Sequence, residues 1–359
     1  MEFIVEVGDN SYPVQVGRGL LAEIGKFTRD CGLVASRCAV ITDANVGPLY
    51  SKPVLTSLEA QGFQPELIEI APGEPSKSLA VLEQVYQRLA KAELDRESAI
   101  FAVGGGVVGD LAGFAAATYL RGLSLVQVPT SMVAQVDSAL GGKTAVNLAC
   151  GKNLIGSFYQ PRLIVADVET LTSLPDREFR EGLAEVIKYG AIMEAGFLEW
   201  LEQEMPMILA RDADRLRHMV ERSLRHKAAI VSRDEREGDL RKILNFGHTL
   251  GHALEASTAY GNYLHGEAVA IGMVAAARLS TRQGALRAED AERIRNLLEA
   301  AGLKTDLPAG WLTAEFIRAL RLDKKRRGEM VEFVLLDRLG HAFTRKLRFE
   351  EIIGEEIVG

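Results

Sequence analysis

Apolar residues follow two rhythms along this chain, and the change falls near residue 175. The N-terminal MEFIVEVGDNSYPVQVG alternates apolar and polar positions, as a half-buried strand does. Residues 38–42, 66–70, 99–103, 125–129 and 163–167 form short, mostly apolar runs that read as strands. Between them lie helical patterns, the clearest at 79–92, where apolar residues recur every three or four positions. Strands separated by helices imply crossover connections and a mainly parallel sheet. From 176 to 303 helical periodicity takes over, with one hairpin expected between 332 and 343. The expected architecture is an α/β domain with a mainly parallel sheet over residues 1–175 and a helical domain over 176–359.

Composition leaves this picture intact and removes some functions. The chain has 359 residues, 47% hydrophobic and 25% charged, which suits an ordinary globular protein with a sizeable core. A net charge of -7 argues against nucleic acid or an anionic membrane as the main partner. Cys31, Cys38 and Cys150 have no C-x-x-C spacing and cannot pair completely, which fits a reducing compartment. The start lacks a signal-peptide pattern, and the longest apolar stretch, 268–277, is well short of the roughly 20 residues of a membrane span. A soluble, cytoplasmic protein is expected.

The strand at 99–103 runs into Gly104-Gly105-Gly106-Val107-Val108-Gly109-Asp110, followed by an alanine-rich helical run at 111–119. Glycines there let a pyrophosphate approach the backbone, and the N–H groups at a helix start favour an anion. Gly104, Gly106 and Gly109 match G-x-G-x-x-G, but the usual acid about 20 residues on is missing, because Pro129-Thr130-Ser131 stands there. A dinucleotide site outside the ordinary Rossmann pattern is expected, the plainer reading being a tight strand-to-helix turn. Asp43, at an earlier strand end, is a candidate partner for a ribose and equally a helix cap. Further on, Gly141-Gly142-Lys143-Thr144 and Gly151-Lys152-Asn153 set two lysines among glycines. Ser138 replaces the P-loop glycine, so ATP hydrolysis is disfavoured and phosphate binding remains.

The chain has six histidines, and three of them fall between 248 and 265. His248, His252 and Glu255 share a helical face, His265-Gly266-Glu267 opens the next helix, and Glu185 and Lys188 share a face further upstream. Three protein ligands plus an open position is the catalytic zinc pattern, although spacing alone leaves the choice of ligands open. No glutamate follows His248, so a zincin protease is disfavoured.

These stretches resemble, in order, the motifs of the 3-dehydroquinate synthase family. To those quoted are added Gln127-Val128-Pro129-Thr130-Ser131, Ala134-Gln135-Val136-Asp137-Ser138, Phe158-Tyr159-Gln160-Pro161, Ala184-Glu185-Val186-Ile187-Lys188 and Asn245-Phe246-Gly247-His248-Thr249. The resemblance implies a fold shared with glycerol dehydrogenases: an NAD-binding α/β domain and a helical domain that binds metal and substrate. It implies Glu185, His248 and His265 as ligands of zinc or cobalt, with His252 near the metal, either supporting a ligand or acting as an acid–base group. For NAD it implies Asp43, Asn45, Gly73, Glu74, Lys77, Gly106, Val107, Val108, Gly109, Asp110, Thr130 and Ser131, with Lys143, Lys152, Thr170, Leu171, Thr172 and Ser173. Around the substrate it implies Asp137, Lys143, Lys152, Asn153, Lys188, Lys227, Arg241 and Asn245, and one lysine of Asp323-Lys324-Lys325. Arg121 matches an arginine that reaches the substrate of a partner subunit, so a homodimer is expected. The implied reaction turns 3-deoxy-D-arabino-heptulosonate 7-phosphate into 3-dehydroquinate and phosphate, with NAD unchanged at the end. Other sugar-phosphate cyclases and polyol-phosphate dehydrogenases are the neighbouring activities.

Overall fold

The computed structural model describes residues 1–258, 262–322, 326–327 and 330–353. The chain divides into two compact units, Met1–Leu174 with Leu216–Arg236, and Pro175–Arg215 with Glu237–Gly359.

The first unit is built on β1 (Glu2–Val5), β2 (Tyr12–Gly17), α1 (Ile24–Asp30), β3 (Arg37–Asp43), α2 (Gly47–Ala60), β4 (Gln64–Ile70) and α3 (Leu79–Lys91). It continues through β5 (Ala99–Gly104), α4 (Gly106–Thr118), β6 (Ser124–Pro129), the hairpin β7 (Lys143–Leu148) and β8 (Gly151–Phe158), and β9 (Leu163–Asp167). Seven strands pair in the order β1-β2-β9-β6-β5-β3-β4, all parallel except the β1–β2 pair. The apolar runs are continuous because helices cover both faces. Ala39, Ile41, Ile100 and Ala102 face the buried side chains of α3 and α4, and Cys38, Val40, Phe101 and Val103 meet those of α1 and α2. The hairpin β7–β8 was not expected from the sequence. It lies on α4, where Gly113 leaves room for Thr144.

The second unit carries α5 (Asp176–Met193) and α6 (Ala195–Leu209), followed by α7 (Ala213–Val231), most of which is counted with the first unit. It then holds α8 (His248–Ser257), α9 (His265–Arg282), α10 (Ala288–Ala300) and α11 (Ala314–Leu322). Strands β10 (Arg326–Arg327), β11 (Met330–Arg338) and β12 (His341–Arg348) form a small antiparallel sheet ahead of the short α12 (Phe349–Ile352). The expected hairpin is thus present with an extra edge strand, and the unit is mostly rather than wholly helical. Two glycines bring its helices close together. A Cβ on Gly272 of α9 would stand 2.0 Å from the Gly247 carbonyl oxygen, and one on Gly266 would stand 1.9 Å from that of Glu181. Only a residue without a side chain lets α9 lie this near the start of α8 and α5.

Candidate functional site

In the second unit, α5, α8 and α9 each bring one polar side chain to the same point. Glu185 of α5 is fully buried, and its Oε1 lies 3.4 Å from His248 Nε2 and 3.3 Å from His265 Nε2. That oxygen has no hydrogen-bond partner among the described residues, while Oε2 accepts from Lys188 Nζ. The outer ring nitrogens are held from behind. His248 Nδ1 is 3.1 Å from the Phe246 carbonyl, and His265 Nδ1 is 3.2 Å from Glu255 Oε2. A carbonyl can only accept, so His248 carries its proton on Nδ1 and turns the lone pair of Nε2 inward. The exposed His252 completes a group in which ligand atoms of all three histidines lie within 4.8 Å of one another.

This geometry fits a metal ion. Two ligand atoms about 2.1 Å from a tetrahedral zinc stand about 3.4 Å apart, as Oε1 and the two Nε2 atoms do here. A buried carboxylate oxygen that approaches two rings without bonding to either is placed for a cation. Burial pushes the Glu185 carboxyl up, but Lys188 and the histidines outweigh it and hold the group well below the usual carboxylate range. Burial pushes the His248 imidazole below its usual range. Burial also opposes the charge on His265, yet the Glu185 and Glu255 carboxylates beside it raise it to about 10. Glu255 shares a helical face with two of the histidines, but its bond to His265 comes from the packing of α8 on α9.

In the first unit, the sequence-predicted cofactor residues stand at the carboxyl ends of parallel strands, where such sheets bind ligands. Asp43 and Asn45 follow β3; Gly73, Glu74 and Lys77 follow β4; Thr130 and Ser131 follow β6; and Thr170, Leu171, Thr172 and Ser173 follow β9. Gly106, Val107, Val108, Gly109 and Asp110 open α4, whose N-cap Gly105 provides no side-chain cap. A Cβ on Gly105 or Gly106 would press on Ser131 Oγ or Ser138 Oγ at 3.2 and 3.3 Å, so the glycines keep the helix start open to an anion such as a pyrophosphate. Asp43 Oδ1 accepts from the N–H groups of Asn45 and Val46 at 2.9 and 3.0 Å, which closes the turn ahead of α2; the N-cap of that helix is Val46, with no side-chain cap.

Other sequence-predicted residues join this end through paired charges. Lys77 bonds Asp110, whose carboxyl is raised by burial against the pull of that lysine. Lys227 of α7, also buried, meets Asp137 at 2.9 Å. Lys143, Lys152 and Asn153 lie on the β7–β8 hairpin. Asn147, which the sequence reading did not single out, ties that hairpin down: its N–H donates to the Lys77 carbonyl, its Nδ2 to Glu74, and its Oδ1 accepts from Asn153 N–H. Arg121 is not among these groups. It precedes the central strand β6, at the amino ends of the parallel strands, on an exposed turn where Leu120, Arg121 and Gly122 all have positive φ. Arg241 is buried and Asn245 donates to Glu237, both in the turn that leads to α8 of the second unit. Asp323, Lys324 and Lys325 lie outside the described residues.

An α/β unit with open glycines at its strand ends, and a helical unit with a Glu/His cluster, define a class of nucleotide- and metal-using enzymes. Solved structures of this class share the fold. A 2-deoxy-scyllo-inosose synthase complexed with carbaglucose-6-phosphate, NAD+ and Co2+ is 27% identical, with a TM-score of 0.89 over 100% of this chain and 99% of that one. A 2-epi-5-epi-valiolone synthase from Streptomyces hygroscopicus with NAD+ and Zn2+ bound is 26% identical, with a TM-score of 0.87 over 96% of each. Family models described as 3-dehydroquinate synthase N-terminal and C-terminal match residues 67–181 and 182–326. A 3-dehydroquinate synthase of Acidithiobacillus ferrooxidans is 51% identical over 94% of this chain and 92% of its own length. This chain belongs to the 3-dehydroquinate synthase family. Among its described residues, no helix is long and apolar enough to cross a membrane.

Proposed function

We propose that this chain converts 3-deoxy-D-arabino-heptulosonate 7-phosphate into 3-dehydroquinate and phosphate, as a carbon–oxygen lyase of the shikimate route to aromatic amino acids. The observation that carries the reading is the convergence of Glu185 Oε1 with Nε2 of His248 and His265, in a chain about half identical to enzymes of that name. When bound, NAD supplies reversible hydride acceptance at an alcohol carbon, and zinc or cobalt supplies Lewis acidity towards its oxygen.

The protein's part is to bind, orient and move protons. Glu185, His248 and His265 hold the metal, and Lys188 neutralises the carboxylate oxygen that faces away from it. His252, exposed at the rim of the cluster, exchanges a proton with the substrate hydroxyl. The glycine loop and first turn of α4 take the pyrophosphate of NAD, with Asp43, Glu74 and Lys77 around the rest of the nucleotide. Lys152 and Asn153 hold the substrate phosphate until it leaves. The substrate carboxylate falls to Lys143, Lys227 or Arg241, where a fixed cation matches an anion. Asp137 keeps the Lys227 ammonium in place, and Asn245 lies at the entry to the metal-binding helix.

The working form we propose is a cytoplasmic homodimer in which Arg121 serves the partner's substrate. What supports this is the position of Arg121, on an exposed turn away from the other phosphate-binding candidates of its own unit.

The test is to supply metal-loaded protein with that heptulosonate phosphate and catalytic NAD, and to follow both products with and without a chelator. Equal, chelator-sensitive release of 3-dehydroquinate and phosphate without accumulating NADH is the expected result. Stoichiometric NADH without phosphate, or turnover only of other sugar phosphates, overturns it.

A further inference from the structure

Arg177, Glu181 and Glu185 recur every four residues along one face of α5, and each grips the start of α9. Arg177 forms a fork on Glu267, with Nε 2.7 Å from Oε1 and Nη2 2.8 Å from Oε2, and its Nη2 also donates to the Asn262 carbonyl at 3.0 Å. Glu267 in turn accepts from Leu264 N–H at 2.9 Å, so the arginine is tied to the turn on both sides of His265. One helical turn on, Glu181 Oε2 accepts from Gly266 N–H at 2.7 Å. One turn further, Glu185 meets the ring of His265. Gly266 permits this contact, since any Cβ there would overlap the Glu181 carbonyl.

We propose that Arg177 and Glu181 are positioning residues for the metal site, a two-rung clamp that fixes the backbone of the 262–267 turn so that His265 delivers its Nε2 to the same point as Glu185 and His248. The inference rests on the metal reading above. A histidine at the first position of a helix follows a turn that packing alone leaves free to pivot, and a ligand displaced by a few tenths of an ångström loses much of its bond to the ion. Neither residue touches the three ligand atoms; both act through the backbone that carries one of them.

The Arg177 side chain is 55% exposed, so its ion pair adds little to stability and the variant is expected to fold. The experiment compares wild type with Arg177→Met and Glu181→Gln, each stripped of metal and reloaded with Co2+. The readouts are the visible ligand-field absorption, the rate of cobalt transfer to a chelator, and the melting temperature of the metal-free protein. For Arg177→Met we expect cobalt affinity to fall about 10- to 100-fold, the magnitude for groups that orient metal ligands, with an altered spectrum and an unchanged metal-free melting temperature. Glu181→Gln keeps an acceptor for Gly266 N–H and is expected to show a smaller fall of the same kind. If Arg177→Met binds cobalt like wild type, or weakens only in step with a lower metal-free melting temperature, the clamp is overturned while the metal reading stands. If wild type takes up no cobalt, or His265→Ala takes it up equally well, the metal reading fails and the clamp with it.

Discussion

Buried charge is handled differently in the two units. In the first, acids and bases close in pairs: Lys77 with Asp110, and Lys227 with Asp137. What stays open at the strand ends is the N–H row at the start of α4, which attracts an anion. In the second, Glu185 spends one oxygen on Lys188 and leaves the other between two histidine nitrogens. Oxygen and nitrogen donors converge there, and a metal ion can take the place of the His265 proton. The lesson is that the ligand a buried region accepts is read from what its internal pairing leaves over. A region rich in charge is not by that fact a charged site.

Removing the leftover oxygen should have the largest effect. Glu185→Ala is expected to abolish stable metal binding and reduce turnover at least about 1000-fold, and it removes a buried ion pair with Lys188 at a cost of about 3 kcal/mol. Metal content after gel filtration, with a denaturant midpoint, checks both; normal metal content would end the comparison. Gly266→Ala comes next. The clash with the Glu181 carbonyl should push α9 away from α5 and cost about 3 kcal/mol of stability together with metal affinity. Chemical denaturation of the metal-free variant measures the first part, and a midpoint within error of wild type would contradict it.

The paired region offers a sharper contrast. Lys77→Met should cost about 2 kcal/mol by leaving Asp110 without its partner, and Lys77→Met with Asp110→Leu should recover most of that. No recovery in the double variant would mean that the pair does more than neutralise itself. The smallest effect concerns Cys38 in the sheet core. Burial raises its thiol to about 12 from an ordinary value near 9, so the stability it contributes is present below pH 9 and is lost as the pH rises towards 12. Cys38→Ala should flatten that alkaline limb and cost about 1 kcal/mol at neutral pH. Equal slopes for both proteins between pH 9 and 12 would count against it.

Much of this was legible in the chain itself, for identifiable reasons. The strands β3, β5, β6 and β9 are buried on both faces, so their side chains must be apolar throughout, and the runs show it. The hairpin β7–β8 was hidden because one side of it is solvated and its glycines and lysines read as loop. Glu255, Arg177 and Asn147 were missed as positioning groups because each acts on a residue from another element, a relation no local spacing carries.

The sequence by itself determined the parallel sheet, the glycine turn that opens α4, the helical second half and the clustering of histidines between 248 and 265. These follow from periodicity and from the backbone freedom of particular residue types, which are properties of neighbours along the chain. The tertiary structure decided which atoms meet. It set Glu185 Oε1 against two histidines, fixed the outward nitrogens of both rings, and placed most of α7 with the first unit. Those outcomes depend on how helices far apart in the chain pack against each other, and on the close approach that Gly266 and Gly272 allow.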